Sequence, residues 1–281
     1  MTLRIVADST ADLDEASAKA LQIAIVPLTV YFGEQAYLDG AELTSAEFFA
    51  RLPGANPLPR TAAPAPGAFL ALFERLAGEA DEILCVTISA KLSGTANAAR
   101  AARNQFKQPE RIGVVDSLGT TAATANIAIV AAQAAGAGLR LEAAAAIARS
   151  AAERQKILIG LETLEYLQRG GRIGRARAFL GGILNVRPLL TLRDGEVAPA
   201  ERVRSRARME ERLYQFAVSD PNAELIRIVH AAASADCQRL ADRVRAAVPN
   251  VPLATGWIGP AVGVYTGPGA LGVALIPRGE T

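Results

Sequence analysis

The sequence predicts an α/β protein whose first half is a doubly wound parallel sheet and whose second half is a separate unit of different texture. Three observations carry this. Up to residue 158, short apolar runs alternate with runs of helical length, the rhythm of βαβ units. After Ile159 that rhythm gives way to a hairpin signal, clustered arginines and short runs broken by Gly and Pro. The chain has 281 residues, 51% of them hydrophobic and 21% charged, which suits two ordinary domains and excludes a long disordered chain. The expected division is 1–158 and 159–281, without an internal repeat.

The elements follow in order. Leu3–Ala7 reads as a strand, and Asp8-Ser9-Thr10 carries side chains that cap a helix expected near Asp12–Leu21. Ile23–Phe32 is a β-rich run, and Thr44 and Glu47 have capping-box spacing. Asn56–Pro66 holds four prolines and reads as a loop, with Pro66 suited to open the next helix. Ile83–Ile88 is a buried strand, Gly94–Phe106 a helix, and Ile112–Val115 a strand ending at Asp116-Ser117. Thr121–Ala135 and Leu141–Gln155 read as alanine-rich helices. A strand from Ile157 to Leu161 and a helical turn precede Arg169-Gly170-Gly171-Arg172-Ile173. Leu189–Arg193, Asp194-Gly195 and Glu196–Ala198 read as a hairpin on a type I′ turn. Ser205–Ser219 is a helix, Leu225–His230 a strand and Ser234–Val248 a helix; the remainder to Pro277 reads as short strands and turns.

Composition excludes several functions. A net charge of +2, from 30 basic and 28 acidic residues, does not suit a whole-chain nucleic-acid binder. Two cysteines, Cys85 and Cys237, make no disulfide framework and point to a reducing, cytoplasmic setting. A single histidine, His230, removes most His-based metal sites, so no metal is expected; a strand-end role suits it. The short apolar run before Asp8 is no secretory leader. Ser117–Leu139 and Ala246–Pro277 lack charge, but the first is rich in Ala, Gly and Thr and the second is broken by prolines. Neither offers the roughly 20 apolar residues of a spanning helix. The chain has no Walker A motif and no G-x-S-x-G elbow. Gly267-Pro268-Gly269-Ala270-Leu271-Gly272 matches G-x-G-x-x-G without the βαβ unit that should follow, so a tight turn is expected there.

Polar residues gather at strand ends. Ser89 to Thr95 lies between a strand and a helix, where free N–H groups and the hydroxyls of Ser93 and Thr95 suit an anion; simple capping by Ser93 explains the same residues. Thr61-Ala62-Ala63-Pro64, Asp8-Ser9-Thr10 and Asp116-Ser117 end on what should be the same sheet edge, the usual ligand crevice of such folds. A stand-alone hydrolase or phosphotransferase would use Asp8, Asp116 and Ser93, although Asp at a helix cap is commoner and Ser93 has no obvious base. Arginines cluster from Arg169 to Arg212, Arg202 and Arg204 among them. A solvated face and a protein-docking face both explain them, and few aromatics interleave as nucleic-acid binding would need.

Taken together, these motifs resemble the DegV family nearly end to end. The marks are Ile5-Val6-Ala7-Asp8-Ser9-Thr10-Ala11-Asp12-Leu13, Val26-Pro27-Leu28, Tyr37-Leu38-Asp39-Gly40, Thr61-Ala62-Ala63-Pro64, Leu92-Ser93-Gly94-Thr95 and Val115-Asp116-Ser117. Leu164 through Ile173 and Gly267-Pro268-Gly269 complete the set. The resemblance implies a parallel-sheet domain and a second α/β domain with a mixed sheet, closing over a lipid site. It implies a long-chain fatty acid in a buried tunnel as the only ligand, with no cofactor and no catalysis by this chain. It also implies a separate ATP-using fatty acid kinase subunit as partner, no nucleic acid, and room for transient contact with a membrane surface. By position, Thr61, Ser93 and the Gly94 backbone would bind the carboxylate, and Arg202 or Arg204 would meet the kinase subunit. Two departures stand out. Tyr265 occupies the place of a histidine common in the family, and a phenol donates a hydrogen bond but is no cation near neutral pH. Ala62 stands where many relatives carry a second hydroxyl.

Overall fold

The computed structural model describes residues 2–180 and 186–279. Strand β1 (Leu3–Asp8) ends in a single 3₁₀ turn capped by Asp8, whose carboxylate accepts the Thr10 N–H at 3.0 Å. Asp12 then takes a left-handed backbone (φ 49°), so helix α1 (Glu15–Ala20) starts behind an Asp14 cap, later than the sequence suggests. Pro27 divides the expected β-rich run: β2 (Ile23–Val26) joins β1, whereas β3 (Thr29–Phe32) turns into another sheet with β4 (Gln35–Leu38). Thr44 and Glu47 form the expected capping box of α2 (Ser45–Arg51). The proline-rich segment is not all loop. It contains β5 (Arg60–Ala62), which pairs antiparallel with β3.

The chain continues as α3 (Pro66–Ala77), β6 (Glu82–Thr87), α4 (Thr95–Gln105), β7 (Ile112–Asp116), α5 (Ala122–Gly136) and α6 (Leu141–Arg154). The parallel sheet has the order β2-β1-β6-β7. Its faces alternate as strand geometry demands. Val6, Ile83 and Cys85 pack under α3 and α4, while Ile5, Ala7, Leu84 and Val86 pack under α5 and α6.

Next come β8 (Lys156–Gly160), α7 (Glu165–Arg169), β9 (Arg187–Arg193), β10 (Glu196–Val203), α8 (Arg206–Ala217), β11 (Leu225–His230) and α9 (Ser234–Ala247). Strand β12 (Leu253–Trp257), helix α10 (Pro260–Thr266) and strand β13 (Leu271–Ile276) close the fold. Helix α10 falls within the segment expected to hold only strands and turns. Val262, Gly263 and Val264 are poor helix formers, and tertiary packing overrides them. A Cβ at Gly263 would strike the rings of Phe48 and Phe49.

The second sheet is mixed, in the order β10-β9-β8-β13-β11-β12, and only β11 and β12 run parallel. The β9–β10 hairpin turns at Asp194 and Gly195 with φ of 54° and 77°, the pair of positive angles that a type I′ turn requires. Helices α8 and α9 cover one face of this sheet through Met209, Leu213, Leu240 and Val244. Helix α5 packs against the parallel sheet and also against β11 and β13. Its alanines explain how it fits between two sheets: twelve of its fifteen residues are buried, and a bulkier helix would hold the sheets apart. Among the described residues no helix is long and apolar enough to cross a membrane.

Candidate functional site

The inner face of the mixed sheet does not close fully against α5 and the N-terminal strands. Alternation along β8 sends Leu158 towards α8, and Ile157 and Ile159 towards a cavity of about 250 Å³. On β9, Leu190 and Leu192 face the same space. Strand β13 contributes Gly272 and Ala274; a Cβ at Gly272 would press on Ile159 at 3.3 Å and Val229 at 3.4 Å, so the glycine lets those two side chains close in. The resulting wall is largely aliphatic, the kind of lining that suits an apolar ligand.

Polar groups gather where this cavity reaches the surface. Thr61 on β5, Ser93 and Gly94 before α4, and Tyr265 on α10 all line it. Thr61 Oγ1 and the Tyr265 hydroxyl share a hydrogen bond of 2.6 Å across 204 residues of sequence. Ser93 Oγ is 2.8 Å from Thr95 Oγ1 and accepts the Thr95 N–H at 3.3 Å. Ser93 thus supports the start of α4 and faces the cavity as well, so the two readings of this residue do not compete. Arg172 lies over the Tyr265 ring at 5.1 Å and donates to the carbonyls of Gly170 and Leu92. Gly170 makes this possible, because a Cβ there would enter the Tyr265 ring. Gly267 and Gly269 take φ of 67° and 80°, consistent with the tight turn expected of that motif.

Helix α10 is held from its other end. Asp39, 3% exposed, accepts the Ala261 N–H at 3.1 Å and the Ser9 hydroxyl at 2.6 Å. Ser9 Oγ in turn accepts the Leu28 N–H, so one buried carboxylate ties α10 to β1 and to the β2–β3 turn. Burial raises the Asp39 carboxyl to about 6 against the lowering effect of these bonds. Protons therefore bind Asp39 more tightly in the folded chain than in the unfolded one. Its contribution favours folding most below about pH 4 and is lost as pH rises through about 6, a swing of up to about 3 kcal/mol. Urea unfolding of wild type and Asp39→Asn from pH 4 to 7 should show the wild type losing stability relative to the variant; parallel curves would refute this.

The acid–base alternative finds no geometry. Asp8 is fully buried: one oxygen accepts from Thr10 and the other accepts the Ile88 N–H at 2.7 Å. Asp116 accepts the N–H groups of Ala90 and Leu118. Both carboxylates brace strand-end loops, and neither bonds to Ser93. His230 accepts the Ala233 N–H and packs its ring against Trp257 at 4.4 Å, the strand-end role expected of it. Of the two arginines singled out for docking, Arg204 is exposed. The Arg202 guanidinium is half-buried over the Phe179 ring at 4.4 Å. Sequence reasoning missed Thr120 and Thr266, which also line the cavity and whose buried hydroxyls have no partner among the described residues. Thr266 adjoins Tyr265 and Thr120 precedes a helix, so capping was the only local signal.

The family model described as "Uncharacterised protein, DegV family" matches residues 2–278. A DegV domain-containing protein of Streptomyces coelicolor is 36% identical over 278 residues, covering 98% of each chain. Among solved structures, a DegV family protein from Thermus thermophilus, described for its fatty acid binding, superposes with a TM-score of 0.90. It is 31% identical, with 99% of this chain and 100% of that one covered. A stearic-acid-binding protein from Eubacterium ventriosum gives a TM-score of 0.90 at 25% identity, with 99% and 98% covered.

Proposed function

The chain belongs to the DegV family, and from that premise we propose that its cavity binds a long-chain fatty acid by the tail and presents the carboxylate at the mouth to a separate ATP-using kinase subunit. The observation that carries this reading is an aliphatic cavity whose mouth is lined by the hydroxyls of Thr61, Ser93 and Tyr265, with the Arg172 guanidinium over the Tyr265 ring. Each buried methylene contributes about 0.8 kcal/mol, so a tail of about 15 carbons supplies on the order of 12 kcal/mol gross. Association costs of about 4–15 kcal/mol consume much of it, which makes a long tail necessary for tight binding. Hydroxyl and amide donors satisfy a carboxylate that would be costly to desolvate alone.

In this reading Thr61, Ser93, the Gly94 backbone and Tyr265 hold the carboxylate, with Tyr265 taking the place of the family histidine. The chain itself is a non-catalytic subunit. Exposed Arg204, with Arg202 beside it, belongs to the face that meets the kinase. We divide the chain into units 1–158 and 159–281; the sheets change at Gln155, between α6 and β8, so this division falls inside β8. Native mass spectrometry and lipid extraction of purified protein test the proposal. An acyl chain of fatty-acid mass bound, or taken up on addition, is expected; a protein that neither carries nor accepts one overturns it.

A further inference from the structure

We propose that a second cleft, where the edge strand β12 meets the segment before α1, takes an apolar α-amino acid as ligand: Arg227 meets its carboxylate and Asp12 its ammonium group. This site goes beyond the fatty-acid reading, and neither depends on the other.

The cleft encloses about 940 Å³ and shares no lining residue with the fatty-acid cavity. Strand β12 is an edge of the mixed sheet and β2 an edge of the parallel one, and both contribute to its wall, through Gly256 and Trp257 and through Ile25. Leu13 and Pro27 add apolar surface, and Trp257 is 38% exposed. Asp12, between β1 and α1, also lines it.

Two buried groups of opposite charge meet there without bonding. Arg227 on β11 is 4% exposed, and its register partner on β12 is Ala254, so it shares a sheet face with Gly256. Arg227 Nη1 lies 3.8 Å from where a Cβ at Gly256 would stand, and the Asp12 carbonyl oxygen lies 3.9 Å from the same point. The guanidinium therefore reaches the wall that Gly256 and Asp12 share. Its Nε has no hydrogen-bond partner, and no carboxylate lies within 4.0 Å of it, among the described residues. Asp12 is the converse. Its Oδ1 lies against Gly259, where a Cβ would strike it, and its Oδ2 is buried without a partner among the described residues. Burial and the neighbouring Asp39 push the Asp12 carboxyl well above the usual carboxylate range, and burial draws the Arg227 guanidinium down.

A structural ion pair would close to about 2.7–2.9 Å, and these two groups stay apart. A buried charge without a partner is costly, so a ligand that completes both gains from each. An amino acid supplies the two together: carboxylate oxygens for the guanidinium fork and an ammonium for the free oxygen of Asp12, joined through a single carbon. Ile25, Pro27 and Trp257 beside them favour an apolar side chain. A metal ion matches less well, because no three His, Cys, Asp or Glu side chains converge to hold one among the described residues.

Ligand-observed NMR and calorimetric titration with L-leucine and L-phenylalanine test the site. At least one should bind. Isopentylamine and N-acetyl-L-leucine, each lacking one of the two charges, should bind about tenfold more weakly or worse than leucine. Asp12→Asn should cost the amino acid about tenfold through its lost charge. Truncating Arg227 endangers the sheet, so Gly256→Val is the second variant. Its Cβ meets Nη1 and the Asp12 carbonyl at ordinary contact distance, and a branched side chain suits a strand, so it fills the gap without opening the fold. It should weaken the amino acid about tenfold or worse while palmitate binding stays within about twofold, since the two sites share no wall. Failure of both amino acids to bind at about 10 mM overturns the site, and buried water then bridges the two charges. So does isopentylamine binding as tightly as leucine, or leucine binding unchanged in Gly256→Val.

Discussion

Replacing Thr61 with Val and Ser93 with Ala together should weaken palmitate binding by about a hundredfold or more while leaving the fold intact. The magnitude follows from what each hydroxyl does. A hydrogen bond to a charged acceptor contributes about 1.5–3 kcal/mol, and removing two leaves a carboxylate in a partly dry mouth with only Tyr265 and the Gly94 backbone to meet it. Val keeps the branched shape that β5 needs at its pairing with Val30, so the loss is one of donors and not of packing. The variant also strips Tyr265 of its 2.6 Å partner, so Tyr265→Phe alone should cost about tenfold through a single lost donor. Displacement of a fluorescent fatty acid measures both. Hexadecanol is the control, because a neutral head should lose no more than about tenfold in the double variant. A double variant within threefold of wild type for palmitate would show that the acid end sits elsewhere.

What could be read from the sequence, and what could not, follows from how local each feature is. The parallel sheet was legible because its strands are buried on both faces and read as continuous apolar runs, each stopped by a capping residue such as Asp8. The hairpin was legible because Asp194-Gly195 states its own turn. Strand β5 was hidden between Pro59 and Pro64, since its three residues are strand only by virtue of their pairing with β3. Helix α10 was hidden for the same reason. Its support comes from Asp39, about 220 residues earlier, and from Phe48 and Phe49 against Gly263. The site divides likewise. Thr61 and Ser93 stood out as polar residues at element ends. Tyr265 had no local signal and entered only through the resemblance, because what brings it to Thr61 is α10 itself. Asp39 was marked as part of a motif without a role, and its role is to hold that helix.

A plug at the inner end of the cavity should impose a chain-length limit that the head variants do not. Ala274 on β13 pairs in register with Ile157 on β8, and both line the cavity. From Ile157, β8 runs towards Leu161 and on to α7, next to the glycine and arginine that flank Tyr265, so Ala274 and Ile157 lie away from the mouth. Ala274→Leu puts branched carbon into space now empty, and overpacking strain should be small for that reason. It displaces about three methylenes of a long tail at about 0.8 kcal/mol each, which predicts about fiftyfold weaker stearate. Decanoate, too short to reach that depth, should change by less than about threefold, and the melting temperature should hold or rise. Measured across saturated acids of increasing length, affinity should climb as in wild type and then flatten. An equal loss at every length would place Ala274 beside the head instead of the tail. No loss at any length would mean that the acyl chain does not occupy this cavity at all, and the tail-first account of affinity would have to be abandoned.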